Sequence, residues 1–232
     1  AGELLVWYGN PSATTTSDGD AVYFLFDHFD GEVLDSEKWA QVGGGTITIS
    51  GGAVTIAGDG SIRKHLRSQV TVFDTMMVQC RGRATTSTHG PYISYCWDGT
   101  LAAYGEVKNG YYIADRTSVP DCINAQRVDG VRTFTSMAIT PDTAYHSYSI
   151  HRAGPNINIS RDGETLSRES TAFSSGYIGL SSTEKADSPG VYDWVLVRAY
   201  SATPPAATAF GPEQASGNLH HVVFGSANMM VI

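Results

Sequence analysis

Short segments in which apolar and polar residues alternate recur along most of this chain of 232 residues. A period of two puts successive side chains on opposite faces of a β-strand, and no stretch shows the 3.6-residue period of an amphipathic helix. About a dozen such segments, separated by glycine-containing turns, predict an all-β fold of short strands. Their even spacing is typical of a two-sheet antiparallel sandwich of the jelly-roll type.

Three dipeptides mark predicted hairpins. Asn109-Gly110 and Asp162-Gly163 have the residue types that supply the two positive φ angles of a type I′ turn, and Gly51-Gly52 separates two alternating segments. Leu101–Lys108 and the segment after Gly110 are therefore predicted to be the two strands of one hairpin.

The charge balance excludes two classes of partner. The 23 acidic residues outnumber the 15 basic ones, which gives a net charge of −8. Nucleic-acid binding needs clustered cations that neutralise phosphate, and docking on an anionic membrane needs the same. No run of 18 apolar residues is present, so we expect no membrane insertion.

Composition divides the chain into three parts. We expect an N-terminal strand and polar linker at residues 1–21, a β-sandwich at 22–200, and a Pro/Ala-rich linker with an apolar C-terminal strand at 201–232. Strand edges at 3–8 and apolar residues at 219–232 need a partner. They suggest a homo-oligomer formed through these two segments.

The three cysteines, Cys80, Cys96 and Cys122, are too few for a disulfide-rich scaffold. We expect three buried thiols. Two alternatives remain: a Cys80/Cys96 pair across a hairpin at 86–90, or a Cys96/Cys122 pair across Asn109-Gly110.

Particular residues carry a family resemblance. Phe26-Asp27-His28-Phe29, the His146–Ile150 segment with Asp162-Gly163, and the closing Tyr192-Asp193-Trp194-Val195 resemble concanavalin A-like lectin/glucanase domains, in particular bacterial β-glucanases. The resemblance implies that the opening and closing segments pair as terminal strands of one domain. Separately, Leu4–Ala13 resembles the end of a domain of unknown function that often precedes such a sandwich in surface proteins.

The catalytic motif of the resembled glucanases is absent. Those enzymes carry E-x-D-x-x-E on one strand of the concave face, with two carboxylates about 5–5.5 Å apart in a retaining enzyme. The corresponding region, Tyr92–Asp115, contains a lone Glu106, for which we expect a partner at Lys108 or Arg116. The sequence therefore predicts a domain that is not an enzyme.

The resemblance also implies a structural calcium ion. Its ligands would be the carboxylate of Asp193, the main-chain carbonyl of His28 and the carbonyl of Gly51 or Gly52. Calcium binds carboxylate, carbonyl and water oxygens, so one carboxylate can suffice. The alternative is that Asp193 only hydrogen-bonds amides of the opening strand.

Dense aromatic residues on the central strands suggest a sugar platform. Stacking would come from Trp97, Tyr104 and Tyr111, and hydroxyl contacts from Asn109 and Arg116. Strict alternation would put Tyr95 and Trp97 on one face. The alternative is that these rings fill the core between the sheets.

Three functions follow. The first is a non-catalytic recognition module that binds a glycan or a cell-surface partner. The second is a structural or assembly subunit of a filament, virion or surface layer, which would use the terminal strands. The third is a glycoside hydrolase with rearranged acids. We expect an extracellular, cell-surface or virion location.

Overall fold

The computed structural model describes residues 2–7, 18–86, 90–116, 121–140, 142–201, 207–210 and 219–224. The chain divides into two compact units. The larger is Gly19–Tyr200, and the smaller combines Ala1–Asp18 with Ser201–Ile232. Whether the predicted segments 1–21, 22–200 and 201–232 fold independently stays a prediction.

The larger unit is almost entirely β. Its elements, in chain order after β1 (Gly2–Trp7) of the smaller unit, are α1 (Gly19–Val22), β2 (Leu25–Asp27), β3 (Trp39–Gly43), β4 (Thr46–Ser50), β5 (Ala53–Ala57), β6 (Lys64–Ser68), β7 (Val72–Phe73), β8 (Met76–Ala84), β9 (Tyr92–Trp97), a 3₁₀ helix (Ala103–Gly105), β10 (Gly110–Arg116), β11 (Asp121–Val128), β12 (Val131–Ala138), β13 (His146–Ala153), β14 (Asn156–Arg161), β15 (Glu164–Glu169), β16 (Ser175–Ser181) and β17 (Gly190–Ala199).

These strands form two antiparallel sheets of eight strands each, as the alternation predicts. The front sheet runs in the order β12-β11-β10-β9-β16-β6-β3, with β7 paired to β16. The back sheet runs β15-β14-β13-β8-β17-β5-β4, with β2 paired to β17. Side chains from both sheets share one core, which includes Trp39, Tyr95, Tyr111, Ile150 and Val195. The predicted two-sheet sandwich is confirmed.

The opening and closing segments pair, as the resemblance implies. Val195 of β17 lies opposite Asp27 of β2, and the other edge of β17 pairs with β8. Tyr192 of β17 is fully buried and links the two sheets. Its hydroxyl accepts a hydrogen bond from the backbone N–H of Tyr92 on β9, at 3.0 Å. The closing strand therefore lies at the centre of the back sheet.

The smaller unit contains a three-stranded antiparallel sheet in the order β1-β19-β18, where β18 is Ala207–Phe210 and β19 is Leu219–Phe224. The β1–β19 register runs from Gly2 opposite Phe224 to Trp7 opposite Leu219. The two predicted terminal strands thus pair within one chain. The strand predicted at 229–232 lies outside the described residues.

Two predicted hairpin turns are confirmed and one is wrong. Asp162-Gly163 closes β14–β15 with φ angles of 51° and 89°, and Gly51-Gly52 closes β4–β5. Asn109-Gly110 closes no two-residue hairpin, because β9 and β10 are joined by the whole segment 98–109. Leu101–Lys108 is not a strand. It contains the 3₁₀ helix and one isolated bridge between Leu101 and Val107.

The cysteines are buried and unbonded to one another. Cys80 lies in the back sheet, whereas Cys96 and Cys122 lie in the front sheet on strands that β10 separates. Both predicted disulfide alternatives are therefore wrong, and the prediction of three buried thiols is confirmed. Burial raises the pKa of the Cys96 thiol to about 12. None of the helices in the described part of the chain is long and apolar enough to span a bilayer.

Candidate functional site

The front sheet has an outer face, defined here as the face turned away from the shared core. Strand registers order its side chains in rows that cross the strands. One row is Arg67, Gly179, Ser94, Tyr112, Ala125 and Phe134. The next row is His65, Ser181, Tyr92, Ala114, Ile123 and Ser136. Polar and aromatic side chains are therefore concentrated toward β6, β9 and β10.

A small cavity of about 10 Å³, about the volume that one water molecule needs, lies on this face. Its charged and titratable groups are Arg63, His65, Glu106 and Arg127. Its hydroxyl groups come from Tyr92, Ser94, Tyr112 and Ser181. His65, Ser94 and Ser181 each have about 1% of their surface exposed, so the polar groups of this cavity lie beneath the surface of the face.

Glu106 is held between Arg63, the residue before β6, and Arg127 of β11. Its Oε1 lies 3.3 Å from Nη2 of Arg63, and its Oε2 accepts a hydrogen bond from Nη2 of Arg127. The sequence predicted Lys108 or Arg116 as the partner of Glu106. In the described contacts its partners are Arg63 and Arg127 instead. Arg63 also lies over the ring of Tyr92, with 4.3 Å between its Cζ and the ring centroid. Both oxygens of the carboxylate are thus engaged by cations.

A second carboxylate approaches the same guanidinium. Oε2 of Glu184 lies 3.5 Å from Nε of Arg63. Two acids therefore share one arginine, whereas a hydrolase with rearranged acids would need two carboxylates that face each other across a groove. A general acid must present a proton to the substrate. The engagement of both Glu106 oxygens by arginines makes that residue unsuited to this role.

His65 is the most buried titratable group of the pocket, with 1% of its surface exposed. Its Nε2 lies 2.6 Å from the carbonyl oxygen of Gly105, and its Nδ1 has no hydrogen-bond partner in the described structure. Burial, together with the nearby Arg63, lowers the pKa of His65 to about 4, against the raising effect of the Gly105 bond. A neutral ring follows, with a bare Nδ1 as an acceptor on the pocket wall.

The segment 98–109, called the covering loop here, folds onto the pocket. Its base is closed by a hydrogen bond from Nδ2 of Asn109 to Oδ2 of Asp98, at 2.8 Å. Its tip is fixed to β6 and the residue before it, because the backbone N–H of Arg63 donates to the carbonyl of Tyr104 at 3.0 Å. Tyr104 takes a left-handed φ of 59°, which turns the chain at this tip.

The predicted sugar platform is only partly at the surface. The rings of Trp97 and Tyr111 have no exposed area, so neither offers a face for stacking. Tyr111 lies in the core between the sheets. Trp97 lies on the outer face against His65, with 5.1 Å between ring centroids, and donates Nε1–H to the Thr100 carbonyl. Tyr104 is 69% exposed.

The two predicted polar contacts have different outcomes. Asn109 is a structural residue of the covering loop. Its Nδ2 bonds Asp98, and its Oδ1 accepts from the backbone N–H of Asp129 at 2.7 Å. The side chain of Arg116 lies outside the described part of the structure. By register, Arg116 occupies the position opposite Asp121.

The strand registers place the backbones of the residues predicted to bind calcium near the middle of β17. Asp193 lies at a β-bulge in the gap between the part of β17 that pairs with β5 and the part that pairs with β2. His28 follows β2 and Gly52 precedes β5, so both backbones flank this gap. Oδ2 of Asp193 accepts from Nη1 of Arg81 at 2.6 Å, an ion pair that neither sequence alternative predicts.

These oxygen donors fit the chemistry of calcium in kind. In the described residues no three His, Cys, Asp or Glu side chains cluster as a metal site. An ion here would therefore rely on Asp193 and main-chain carbonyls, with Arg81 as a competing cation.

Sequence reasoning missed Arg63, His65 and Arg127 as site residues. They reach the pocket through contacts with Gly105 and Glu106 of the covering loop, across 40, 43 and 21 positions of the chain. The sequence does contain a signal for Arg63 and His65. They are two positions apart on one predicted strand, so their side chains are expected on the same face.

Solved structures show similar folds. A carbohydrate-binding module of family 66 from Bacillus subtilis has a TM-score of 0.58 and 15% identity, over 70% of this chain and 96% of that one. A β-1,3-1,4-glucanase (lichenase) from a mouse hindgut metagenome has a TM-score of 0.57 and 14% identity, over 76% and 99%. A β-1,3-glucanase from Mycobacterium marinum has a TM-score of 0.53 and 13% identity, over 75% and 98%.

The larger unit has a concanavalin A-like jelly-roll fold. At this identity the likeness establishes the fold alone, and the fold is shared by a binding module and by hydrolases.

One family model matches the start of the chain. The family described as a domain of unknown function, DUF2341, matches residues 1–42. This match agrees with the resemblance of Leu4–Ala13 to the end of such a domain. No curated protein matches the chain.

Proposed function

We propose that the jelly-roll unit is a non-catalytic module that binds a glycan on the outer face of its front sheet. The observation that supports this proposal is the exposed ring of Tyr104 on the covering loop, in a fold that a carbohydrate-binding module also has. Both oxygens of Glu106, in the same loop, are engaged by arginines. A secreted, cell-surface or virion location stays a prediction.

A titration of the full chain with a panel of neutral and acidic oligosaccharides tests this proposal. Tyr104→Ala removes the exposed ring of the covering loop and should weaken binding of whichever saccharide the wild type prefers. Phe24→Ala, which removes another exposed ring, is the matched control and should change nothing. An absence of binding across the panel at millimolar concentration would reject the proposal.

A hydrolase remains the second candidate, because Glu106 and Glu184 both approach Arg63. Release of reducing ends from β-glucans by the wild type, abolished by either Glu106→Gln or Glu184→Gln, would replace the binding proposal with this one. We expect no release.

The assembly proposal has less support. It drew on the unpaired edges of the terminal strands, and β1 and β19 pair with each other within one chain. A chain lacking residues 215–232 tests it. If the shortened chain stays folded and keeps the oligomeric state of the full chain, assembly through these strands is rejected.

A further inference from the structure

Strand β12 forms an open edge of the front sheet. It stands at the end of that sheet and pairs with β11 through eight residue pairs without a register shift. The two-residue turn Asp129-Gly130, with φ angles of 49° and 80°, joins the strands, so Val128 and Val131 form a hydrogen-bonded pair. Hydrogen-bonded and non-hydrogen-bonded pairs alternate along an antiparallel ladder. The residues whose backbone N–H and C=O groups point away from β11 are therefore Arg132, Phe134, Ser136 and Ala138.

This edge is open in the part of the chain that the structure describes. There, the backbone groups of Arg132, Ser136 and Ala138 have no hydrogen-bond partner beyond β12. Arg168 of β15 reaches β12 from the other sheet, and its guanidinium donates to the carbonyl and the hydroxyl of Thr133, at 2.7 and 2.8 Å. Because the backbone of Thr133 is directed toward β11, this contact leaves the outward groups accessible.

β12 lacks the features that usually protect a sheet edge. Natural proteins protect edges with short strands, charged side chains, proline or bulges. β12 has eight residues, no proline, no bulge and one charged residue, Arg132. Of the strands at the other ends of the two large sheets, β15 carries three charges in six residues, and β3 and β4 have five residues each. β12 is therefore the edge most open to pairing with another strand.

Apolar side chains are exposed along the same strand. Val131 is 70% exposed and Phe134 is 43% exposed. The ring of Phe134 lies on the outer face beside the guanidinium of Arg132, with 5.0 Å between Cζ and the ring centroid. Every residue of β12 except Met137 is exposed. Pairing with a further strand would remove these apolar groups from water.

The sequence of β12 is complementary to a second copy of itself. Two antiparallel registers bring the outward backbone groups of both copies together over most of the strand, one centred on Phe134 and one on Thr135. Arg132 lies opposite Ser136 in the first register and opposite Ala138 in the second, so no like charges oppose each other. On the outer face, the Phe134 side chains of the two copies are direct neighbours in the first register and diagonal neighbours in the second.

We propose that β12 joins two copies of this chain by antiparallel pairing with its own counterpart, so that the two front sheets form one continuous sheet. The interface is isologous, with a two-fold axis near Phe134 and Thr135. Three residue pairs with two bonds each give about six backbone hydrogen bonds in the register centred on Phe134. Because one strand is a small interface, we expect a dimer that dissociates at micromolar concentration. The dimer goes beyond the proposed glycan binding and does not depend on it.

Sedimentation equilibrium of the full chain measures the association. We expect the weight-average mass to rise from 24.8 kDa at about 1 μM toward twice that value at about 500 μM. A mass that stays at 24.8 kDa over the whole range overturns the proposal.

A proline on the edge tests which strand is used. Ser136→Pro removes an outward N–H and places a ring on the edge, whereas the ladder to β11 is kept, so the dissociation constant should rise at least about tenfold. Ser167→Pro is the matched control, because Ser167 has the corresponding outward position on β15, opposite Asn158. It should leave the dissociation constant unchanged. Equal constants for the two variants contradict pairing through β12, and thermal unfolding checks that each variant is folded.

Opposite charges at Phe134 test whether the strand faces itself. Phe134→Lys and Phe134→Glu each place like charges next to each other across the two-fold axis, so each variant alone should weaken the dimer at least about tenfold. In an equimolar mixture the charges across the axis are opposite, and the dissociation constant should return to within about threefold of the wild-type value. Dimers that persist in each variant alone, or a mixture of folded variants that stays monomeric, show that β12 does not pair with its counterpart.

Discussion

The imidazole Nε2 of His65 lies 2.6 Å from the carbonyl oxygen of Gly105, a residue 40 positions further along the chain. This bond fastens the tip of the covering loop to strand β6. Because Nε2 carries the hydrogen that is donated, Nδ1 is bare, and protonation would place a second N–H in a buried pocket beside Arg63. The neutral ring is therefore part of the folded state.

Stability should fall as the pH decreases from 6.5 toward 4. His65 takes up its proton near pH 6.5 in the unfolded chain but only near pH 4 in the folded one, so the unfolded state binds more protons between these values. The difference corresponds to about 3 kcal/mol when complete. Urea unfolding across this range should show a shallower loss for His65→Gln than for the wild type. His28→Gln, at an exposed ring, is the control, and equal slopes for His65→Gln and wild type would contradict this explanation.

Removal of the buried Asp115 carboxylate should destabilise the sandwich. Its Oδ2 accepts hydrogen bonds from the Tyr148 hydroxyl at 2.7 Å and from Nε of Arg161 at 2.9 Å. Asp115→Ala leaves a largely buried guanidinium without its carboxylate, which costs about 3 kcal/mol. Asp142→Ala, at an exposed carboxylate, should cost under about 1 kcal/mol. Urea unfolding measures both, and similar small losses would show that the buried pair is not a stabilising contact.

Tyr104 is the predicted platform residue that remains at the surface. If a sugar stacks on it, Tyr104→Ala should weaken glycan binding by up to about tenfold, because an aromatic contact contributes about 0.5–1.5 kcal/mol. Stability should not fall, since the ring is exposed. Phe24→Ala removes an exposed ring next to the back sheet and serves as control. Unchanged affinity for Tyr104→Ala would remove the covering loop from the binding surface.

Calcium binding at the β17 gap has a specific test. If Asp193 and the carbonyls of His28 and Gly52 hold the ion, the wild type should melt at a higher temperature in calcium than in chelator. At calcium concentrations a hundredfold above Kd, the free energy of unfolding should rise by up to about 2.7 kcal/mol. Asp193→Asn should abolish this difference, and Arg81→Gln should enlarge it by removing the competing cation. Equal melting temperatures in calcium and in chelator, for both wild type and Arg81→Gln, would reject the site.

Local chemistry predicted the turns where residue type determines the backbone. Asp162-Gly163 and Gly51-Gly52 lie at positions with positive φ, which glycine and aspartate tolerate well. The alternating strands around them were predicted for the same reason, since each strand's pattern is contained in its own residues.

The covering loop was not predictable in this way. Its apolar residues alternate like those of a strand, yet its tip is bonded to Arg63 and His65, about 40 residues upstream. The assignment of faces on β9 failed as well. Cys96 takes a left-handed φ of 51°, so strict alternation ends there and Trp97 lies on the opposite face from Tyr95. A bulge at a non-glycine residue has no signature in residue type.

The position of β17 determines when this unit can fold. It is the last strand of the larger unit to be synthesised, yet it lies between β8 and β5 in the back sheet. Until Gly190–Ala199 has left the ribosome, the two halves of that sheet have no strand to join them and both carry open edges. Folding of the unit therefore starts late and closes cooperatively, and a nascent chain that stalls before residue 190 is a candidate for aggregation rather than for partial function.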